Sequence, residues 1–232
     1  MSRFKQYLYD FFCLLFPDPC NACGAQLVQG EQQICTRCLY DLPFTDFHLY
    51  QENAVAKLFW GRVHCHTAMA MLYFRKGSRV QELVHQLKYR SRTALGLRMG
   101  AILAERLAAS PLYEHADLII PVPLHARKER QRGYNQSRLI AEGMSAVLQV
   151  PVNTALLIRL KDTGTQTKKN RYSRFENMKA VFDAPLQEEL RGKNIILVDD
   201  VITTGATLES CGQVLLNCGI SRLNIAALAF AE

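Results

Sequence analysis

The run Ile195-Ile196-Leu197-Val198-Asp199-Asp200-Val201-Ile202-Thr203-Thr204-Gly205-Ala206-Thr207 concentrates two kinds of chemistry in a short stretch of chain. Its apolar first half, Asn194 to Val198 with its preceding Gly192, reads as a buried strand that delivers two carboxylates at its C-terminal edge. Open α/β sheets bind ligands at that edge. The Thr203-Thr204-Gly205-Ala206-Thr207 loop then turns directly into a helix. Its backbone N–H groups and three hydroxyls can surround a phosphate, and the helix N-terminus adds partial positive charge. Gly205 permits the close turn. Asp199 and Asp200 suit ribose hydroxyls or a hydrated Mg²⁺. The pattern is not a P-loop, since Gly-x4-Gly-Lys is missing. Helix capping alone is a poor account, because two adjacent carboxylates at a sheet edge are costly without a cation or hydroxyl partner.

A second constellation lies near the N-terminus. Of eight cysteines, four form two pairs with two-residue gaps, Cys20-Asn21-Ala22-Cys23 and Cys35-Thr36-Arg37-Cys38. Such a gap lets both thiolates turn toward one ion, and four of them suit tetrahedral zinc in a closed, structural site. Zinc would supply about 10–16 kcal/mol of folding free energy to a segment too small to fold alone. Two disulfides fit poorly in a basic chain without a signal peptide, which reads as cytoplasmic and reducing. A redox pair would come singly in a βαβ setting. Gln26 to Ile34, with Gly30 near its middle, reads as a hairpin joining the pairs. Leu208, Cys211, Leu215 and Cys218 fall at helical spacing, so the last two cysteines read as core thiols. His64-Cys65-His66 sits in a strand-like run, Val63 to Phe74, whose neighbours would face opposite ways and share no ion.

These residues need a framework to hold them. Residues 1–18 read as a helix with Phe4, Leu8, Phe11, Phe12 and Leu15 on one side, the cysteine module follows to Leu42, and Pro43 to Gln51 reads as a connector. Beyond it, strands and helices alternate. Strands are expected at Ala68–Phe74, Asp117–Val122, Val152–Ile158, Asn194–Val198 and Leu223–Phe230. Helices are expected at Val80–Leu87 after an N-cap at Ser78, at Gly96–Ala109 with Leu97, Ile102, Leu103 and Leu107 inward, and at Gln136–Leu148 and Ala206–Cys218. Lys161 to Lys179 lacks apolar periodicity and reads as a long loop. Alternation with apolar strands implies an α/β fold, a mostly parallel sheet flanked by helices. The expected division is a helix and four-cysteine module at 1–50 and the α/β domain at 51–232.

The 232 residues are 49% hydrophobic and 21% charged, a globular balance that excludes disorder and collagen-like repeats. No apolar run approaches the ~20 residues that span a bilayer. Net charge is +7, and Lys88–Arg98, His125–Arg138 and Arg159–Lys179 carry net +4, +4 and +5, which leaves the remainder acidic. Clusters of this kind fit a polyanionic partner, either a phosphate-bearing ligand or nucleic acid.

The segment Ile195–Thr207 resembles the phosphoribosyl-pyrophosphate (PRPP) signature of type I phosphoribosyltransferases. The chain as a whole is similar to the ComF/GntX-type competence proteins, which join a four-cysteine module to such a domain. Further matches are Leu87-Lys88-Tyr89, Pro121-Val122-Pro123-Leu124 with Arg127, Arg132-Gly133-Tyr134-Asn135-Gln136, and Gln166 with Arg174, Asn177 and Phe182. The resemblance implies that Thr203 to Thr207 hold the 5′-phosphate and Asp199 and Asp200 the ribose hydroxyls. It implies that Leu124, His125 and Arg127 form the pyrophosphate loop and that Lys161 to Lys179, with Lys168, Lys169, Arg171 and Arg174, form a hood.

Two functions follow from it. One is an enzyme, a pentosyl transferase that displaces pyrophosphate from C1 of the ribose. Mg²⁺, Lys88, Arg127 and the hood arginines would offset the leaving group's charge. No acceptor pocket or general base is recognisable in the sequence. The other is a binding protein of natural transformation, which would hold single-stranded DNA on aromatics such as Tyr89, Tyr134, Tyr172 and Phe175 between basic residues. A DNA helicase or translocase would be its docking partner.

Overall fold

The computed structural model describes residues 18–160 and 181–231. The expected first helix and the hood, including Lys168, Lys169, Arg171, Tyr172, Arg174 and Phe175, lie outside the described residues.

In chain order the elements are α1 (Thr36–Tyr40), α2 (Ala54–Lys57), β1 (Thr67–Phe74), α3 (Arg79–Tyr89), α4 (Thr93–Ala108), β2 (Leu118–Pro121), α5 (Ala126–Arg132) and α6 (Gln136–Leu148). There follow β3 (Ile158–Arg159), β4 (Phe182–Asp183), α7 (Gln187–Leu190), β5 (Asn194–Ile202), α8 (Ala206–Asn217) and β6 (Arg222–Ala231). Four strands form one parallel sheet in the order β1-β6-β5-β2, while β3 and β4 pair antiparallel apart from it. The inner strands β5 and β6 are mostly apolar because both their faces are covered, with Asp199, Asp200 and Asn224 as polar exceptions. On one face Ile196 and Val198 meet α3, α4 and α6 through Leu83, Leu87, Leu103 and Ile140. On the other, Ile195 and Leu197 meet Leu208, Cys211 and Leu215 of α8, together with Val55 and Phe59. Cys211 in α8 and Cys218 just after it are core thiols, as their spacing implies.

Helices α4 and α6 approach until their backbones touch. A Cβ on Gly100 would stand 2.1 Å from the Ile140 carbonyl oxygen, and one on Gly143 would stand 2.1 Å from that of Leu97. Leu97 therefore contributes its backbone to the contact while its side chain is exposed, contrary to the inward position expected for it. Leu95 and Met99 fill the core instead.

Four further expectations are corrected. Strand β5 runs on to Ile202, since Val201 and Ile202 still pair with Ala229 and Phe230, so the two aspartates lie within the strand and not beyond it. Val152 to Ile158 is not a strand. Val152 makes one bridge to Ile119, and Asn153 Oδ1 then accepts from the amides of Ala155 and Leu156 and bends the chain away. The stretch Val63 to His66 precedes β1, so strand alternation does not separate His64, Cys65 and His66. In the cysteine module the paired segment is Asp18–Cys20 against Ala25–Leu27, around the first knuckle, in place of a hairpin over Gln26–Ile34.

The expected connector has a structural role of its own. Pro43 to Thr45 lies antiparallel along the outer edge of β1. Tyr73 N–H donates to Pro43 O (2.9 Å) and Thr45 N–H to Met71 O (3.1 Å). Cys20, Ala22, Ile34, Cys38 and Leu42 share one buried cluster with Met69, Met71 and Leu72 of β1. Two ion pairs, Arg79–Asp41 at 2.7 Å and Arg106–Asp46 at 3.0 Å, flank this junction, and the Arg106 guanidinium lies 3.6 Å from the centre of the Phe44 ring.

Candidate phosphate and ribose site

Three elements end together at the C-terminal edge of the sheet: β5 with its two aspartates, the Thr203–Gly205 turn into α8, and the start of α6 beside the end of β2. Asn135 caps α6 by accepting from Ser137 N–H (3.0 Å) and ties it to β2 by donating to Val122 O (3.0 Å). That register brings Ser137 Oγ to donate to Asp199 Oδ1 at 2.9 Å, and the same oxygen accepts from Asp200 N–H. Asp200 is buried, and its Oδ2 lies 3.0 Å from Lys88 Nζ at the end of α3. Two residues singled out separately from the sequence, Lys88 and Asp200, are thus direct partners. Asp199 keeps some exposed surface. Desolvation of its carboxylate, together with the neighbouring negative charge of Asp200, nevertheless pushes it up to about 7.

The loop that follows has an anion-receiving geometry. Thr203, Thr204 and Thr207 are exposed, and Gly205 caps α8 with φ +73°. A helix leaves its first amides without intrahelical partners. Here the first backbone bond of α8 runs from Glu209 N–H to Gly205 O (2.9 Å), and Ala206 N–H has only a 3.5 Å contact with Thr204 Oγ1. Gly205 is pressed against Phe59, whose ring carbons would stand 3.1 and 3.2 Å from any added Cβ. Phe59 is itself fully buried.

The basic residues after β2 are arranged differently from one another. His125 is the N-cap of α5, with Nδ1 accepting from Arg127 N–H (3.2 Å), while Arg127 is exposed and Leu124 half-buried. Helix α5 buries none of its side chains. Between α5 and the end of α3 lies a cleft of about 530 Å³ lined by Lys88, Tyr89, Ser91, Lys128, Gln131 and Arg132, three cations and no carboxylate. Tyr89 is 62% exposed, and the Arg132 guanidinium lies 5.3 Å from its ring centre. Tyr134, the other described aromatic expected to stack, donates its hydroxyl to Leu87 O and packs against the core.

The cysteine cluster is the metal-ligating group among the described residues. The Sγ atoms of Cys20, Cys23, Cys35 and Cys38 all lie within 4.8 Å of one another. Gly24, at φ +76°, turns the first knuckle, and Cys20 Sγ accepts from the amides of Ala22 (3.4 Å) and Cys35 (3.2 Å). Burial raises the Cys20 thiol, but those amides outweigh it and bring it down to about 7. Burial and the neighbouring sulfurs push Cys38 up. Four sulfurs this close cannot all ionise without a cation between them, so the donor set fits a tetrahedral thiophilic metal. His64, Cys65 and His66 do not join such a group.

Ser137, Phe59 and Arg62, which touch the aspartates or the loop, are residues that the sequence does not single out. Arg62 donates to Thr204 O at 2.9 Å across 142 positions of chain.

A parallel sheet whose inner strand carries Asp-Asp near its C-terminal end and passes through a hydroxyl-bearing turn into a helix defines a type I phosphoribosyltransferase-like domain. Residues 135–232 match the phosphoribosyl transferase domain family. The chain is 32% identical over 149 residues to the DNA utilization protein YhgH of Salmonella typhi, which covers 62% of this chain and 63% of that one. It is 36% identical over 116 residues to competence protein F of Haemophilus influenzae, covering 50% and 51%, and 37% identical over 102 residues to competence protein ComFC of Bacillus subtilis, covering 44% and 39%. This chain therefore spans under two thirds of each of these relatives. Among solved structures, glutamine phosphoribosylpyrophosphate amidotransferase from B. subtilis aligns at 19% identity and a TM-score of 0.44, over 62% of this chain and 30% of that one. Residues 135–232 thus carry a phosphoribosyl transferase domain, the chain is similar to competence and DNA-utilization proteins, and a four-cysteine cluster lies ahead of that domain. No helix among the described residues is long and apolar enough to cross a membrane.

Proposed function

We propose that the chain binds PRPP or a related phosphorylated ribose with Mg²⁺ and serves in the handling of DNA taken up by the cell. The observation that carries this reading is the strip Asp199-Asp200-Thr203-Thr204-Gly205, with Lys88 already paired to Asp200 and the loop leading into the N-terminus of α8. Thr203 to Thr207 would receive the 5′-phosphate, and Asp199 and Asp200 the ribose hydroxyls. Lys88, Arg127 and the loop Leu124–Arg127 would face the pyrophosphate. Mg²⁺, when bound with the ligand, would neutralise pyrophosphate oxygens and ease their departure. The ribose hydroxyls would replace Ser137 and Lys88 as partners of the aspartates, or share them, because each carboxylate oxygen has two lone pairs. The metal of the cysteine cluster is zinc in this reading. The link to DNA rests on the competence and DNA-utilization names of the relatives.

Titration calorimetry with PRPP, with and without Mg²⁺, tests the ligand assignment. Exchanging both aspartates for asparagine should weaken Mg²⁺-dependent binding by about a hundredfold or more, the worth of two charge-assisted hydrogen bonds. Equal affinity in the double variant would defeat it. Release of pyrophosphate with a panel of nucleobases would then establish turnover.

One observation favours a second reading, a site for single-stranded DNA. The cleft carrying Lys88, Lys128 and Arg132 around the exposed face of Tyr89 joins a stacking surface to positive charge. On this reading, neutralising Lys128 and Arg132 together should lower the slope of log affinity against log salt by about 0.7 for each phosphate that the cleft ceases to neutralise. An unchanged slope would leave the cleft to the small ligand alone.

A further inference from the structure

We propose that Arg62 is a positioning residue of the phosphate loop: it pins the Thr204 carbonyl outward, so that the Gly205 amide is held toward the bound phosphate. The inference rests on the phosphate reading of Thr203–Thr207 given above. Arg62 lies in the turn after α2. Its Nη1 donates to Leu58 O (2.9 Å) and to Thr204 O (2.9 Å), and its Nη2 pairs with the Glu209 carboxylate in the first turn of α8. One guanidinium therefore joins three places: its own turn, the loop, and the helix that the loop enters.

The consequence follows from peptide geometry. In a trans peptide the C=O of one residue and the N–H of the next point in opposite directions across one rigid plane. Fixing Thr204 O against Arg62 thus fixes Gly205 N–H on the opposite side. The need for such a fixture comes from Gly205 itself. A glycine has access to both signs of φ, so the Thr204–Gly205 peptide is the plane in this loop most free to turn over. Phe59, from the same turn as Arg62, closes the space on the Cβ side of Gly205. It restrains the position of the residue but supplies no hydrogen bond to orient the plane. Arg62 supplies that orientation, and Glu209 holds Arg62 in place. An anion site built from backbone amides loses a donor each time a plane turns its carbonyl inward.

The test compares the parent protein with Arg62→Gln in calorimetric titrations against ribose 5-phosphate and, separately, against inorganic pyrophosphate with Mg²⁺. The variant should bind ribose 5-phosphate about tenfold more weakly, the worth of one charge-assisted hydrogen bond. Pyrophosphate should bind the two proteins alike. Hydrogen exchange at the Thr203–Thr207 amides should be faster in the variant, while the exchange of β5 is unchanged. Glu209→Gln should shift the same ligand in the same direction by a smaller factor, and Arg62→Lys, which can still reach Thr204 O, should recover part of the loss. Equal affinity of parent and Arg62→Gln for ribose 5-phosphate overturns the proposal, as does a parallel loss on both ligands, which would mark a general structural defect. A parent that binds no ribose 5-phosphate defeats the phosphate reading itself, and that result is seen before any variant is made.

Discussion

Stripping the metal from the cysteine cluster, or replacing Cys38 by serine, should lower the melting temperature by more than about 10 °C and loosen the edge of the main sheet. The size of the effect follows from two magnitudes. A structural zinc site contributes about 10–16 kcal/mol to the folding of its segment. A domain's whole stability is about 5–15 kcal/mol, and 1 kcal/mol moves the melting point of a chain this size by about 2–4 °C. The cluster is not an appendage whose loss would pass unnoticed. Leu42, Cys38 and Ile34 belong to the same buried cluster as Met69, Met71 and Leu72, and Pro43 to Thr45 are hydrogen-bonded along β1. Metal content by mass spectrometry, melting curves, and hydrogen exchange over Met69–Tyr73 are the measurements. Serine at position 38 should abolish stoichiometric metal and speed exchange in β1. Loss of the metal without any change in melting would show that the four thiols pack adequately as an apolar cluster.

An Asp199→Asn variant should be more stable than the parent at pH 8, and the margin should narrow steadily as the pH falls. The Asp199 carboxyl stands at about 7 in the folded chain, against 3.8 for an unperturbed aspartate. Because the folded value is raised, the native state holds a proton that the unfolded chain gives up between those two values. The stabilising contribution is complete below about pH 4 and is lost as the pH rises to about 7. Above that, the parent carries two adjacent carboxylates offset by the Asp200 amide, Ser137 and Lys88. Asparagine keeps an oxygen for Ser137 and for the Asp200 amide and removes the charge. The expected gain at pH 8 is a few kcal/mol, read from denaturant midpoints at pH 5, 6, 7 and 8. A margin that is flat with pH, or reversed, would show that Asp199 is ionised at no cost. The same substitution removes a proposed ribose contact, so a gain in stability is expected to accompany a loss of binding.

The outline of the fold is legible in the sequence because the strongest signals are local. Asn194–Val198 and Leu223–Phe230 announce inner strands by their largely apolar runs, and Gln136–Leu148 is bounded by its Asn135 cap. The two aspartates and the threonine loop are contiguous, so their chemistry is legible as well, and paired cysteines carry their own spacing rule. What stays hidden is set by distance along the chain. Arg62 meets Thr204, Ser137 meets Asp199, and Lys88 meets Asp200 only because the sheet order brings them together. The close crossing of α4 and α6 is hidden for a different reason. Glycine in a helix usually weakens it, and only the 2.1 Å approach to a facing carbonyl shows that Gly100 and Gly143 are required. Val152–Ile158 misleads because its apolar residues belong to an Asn153-capped bend, where side-chain hydrogen bonding outweighs strand preference.

The position of β6 has a bearing on how the molecule is made. It lies between β1 and β5, yet it is the last of the sheet's strands along the chain. Until residues 222–231 are synthesised, β1 and β5 have no neighbour to share and each shows an open ladder of backbone groups. Residues 1–221 must therefore all be synthesised before the central sheet can zip up. Such late, long-range closure slows folding and prolongs the exposure of sticky strands. A ribosome stalled only a few codons before that stretch would release a chain with its middle missing, and such a chain is a natural client for chaperones and proteases.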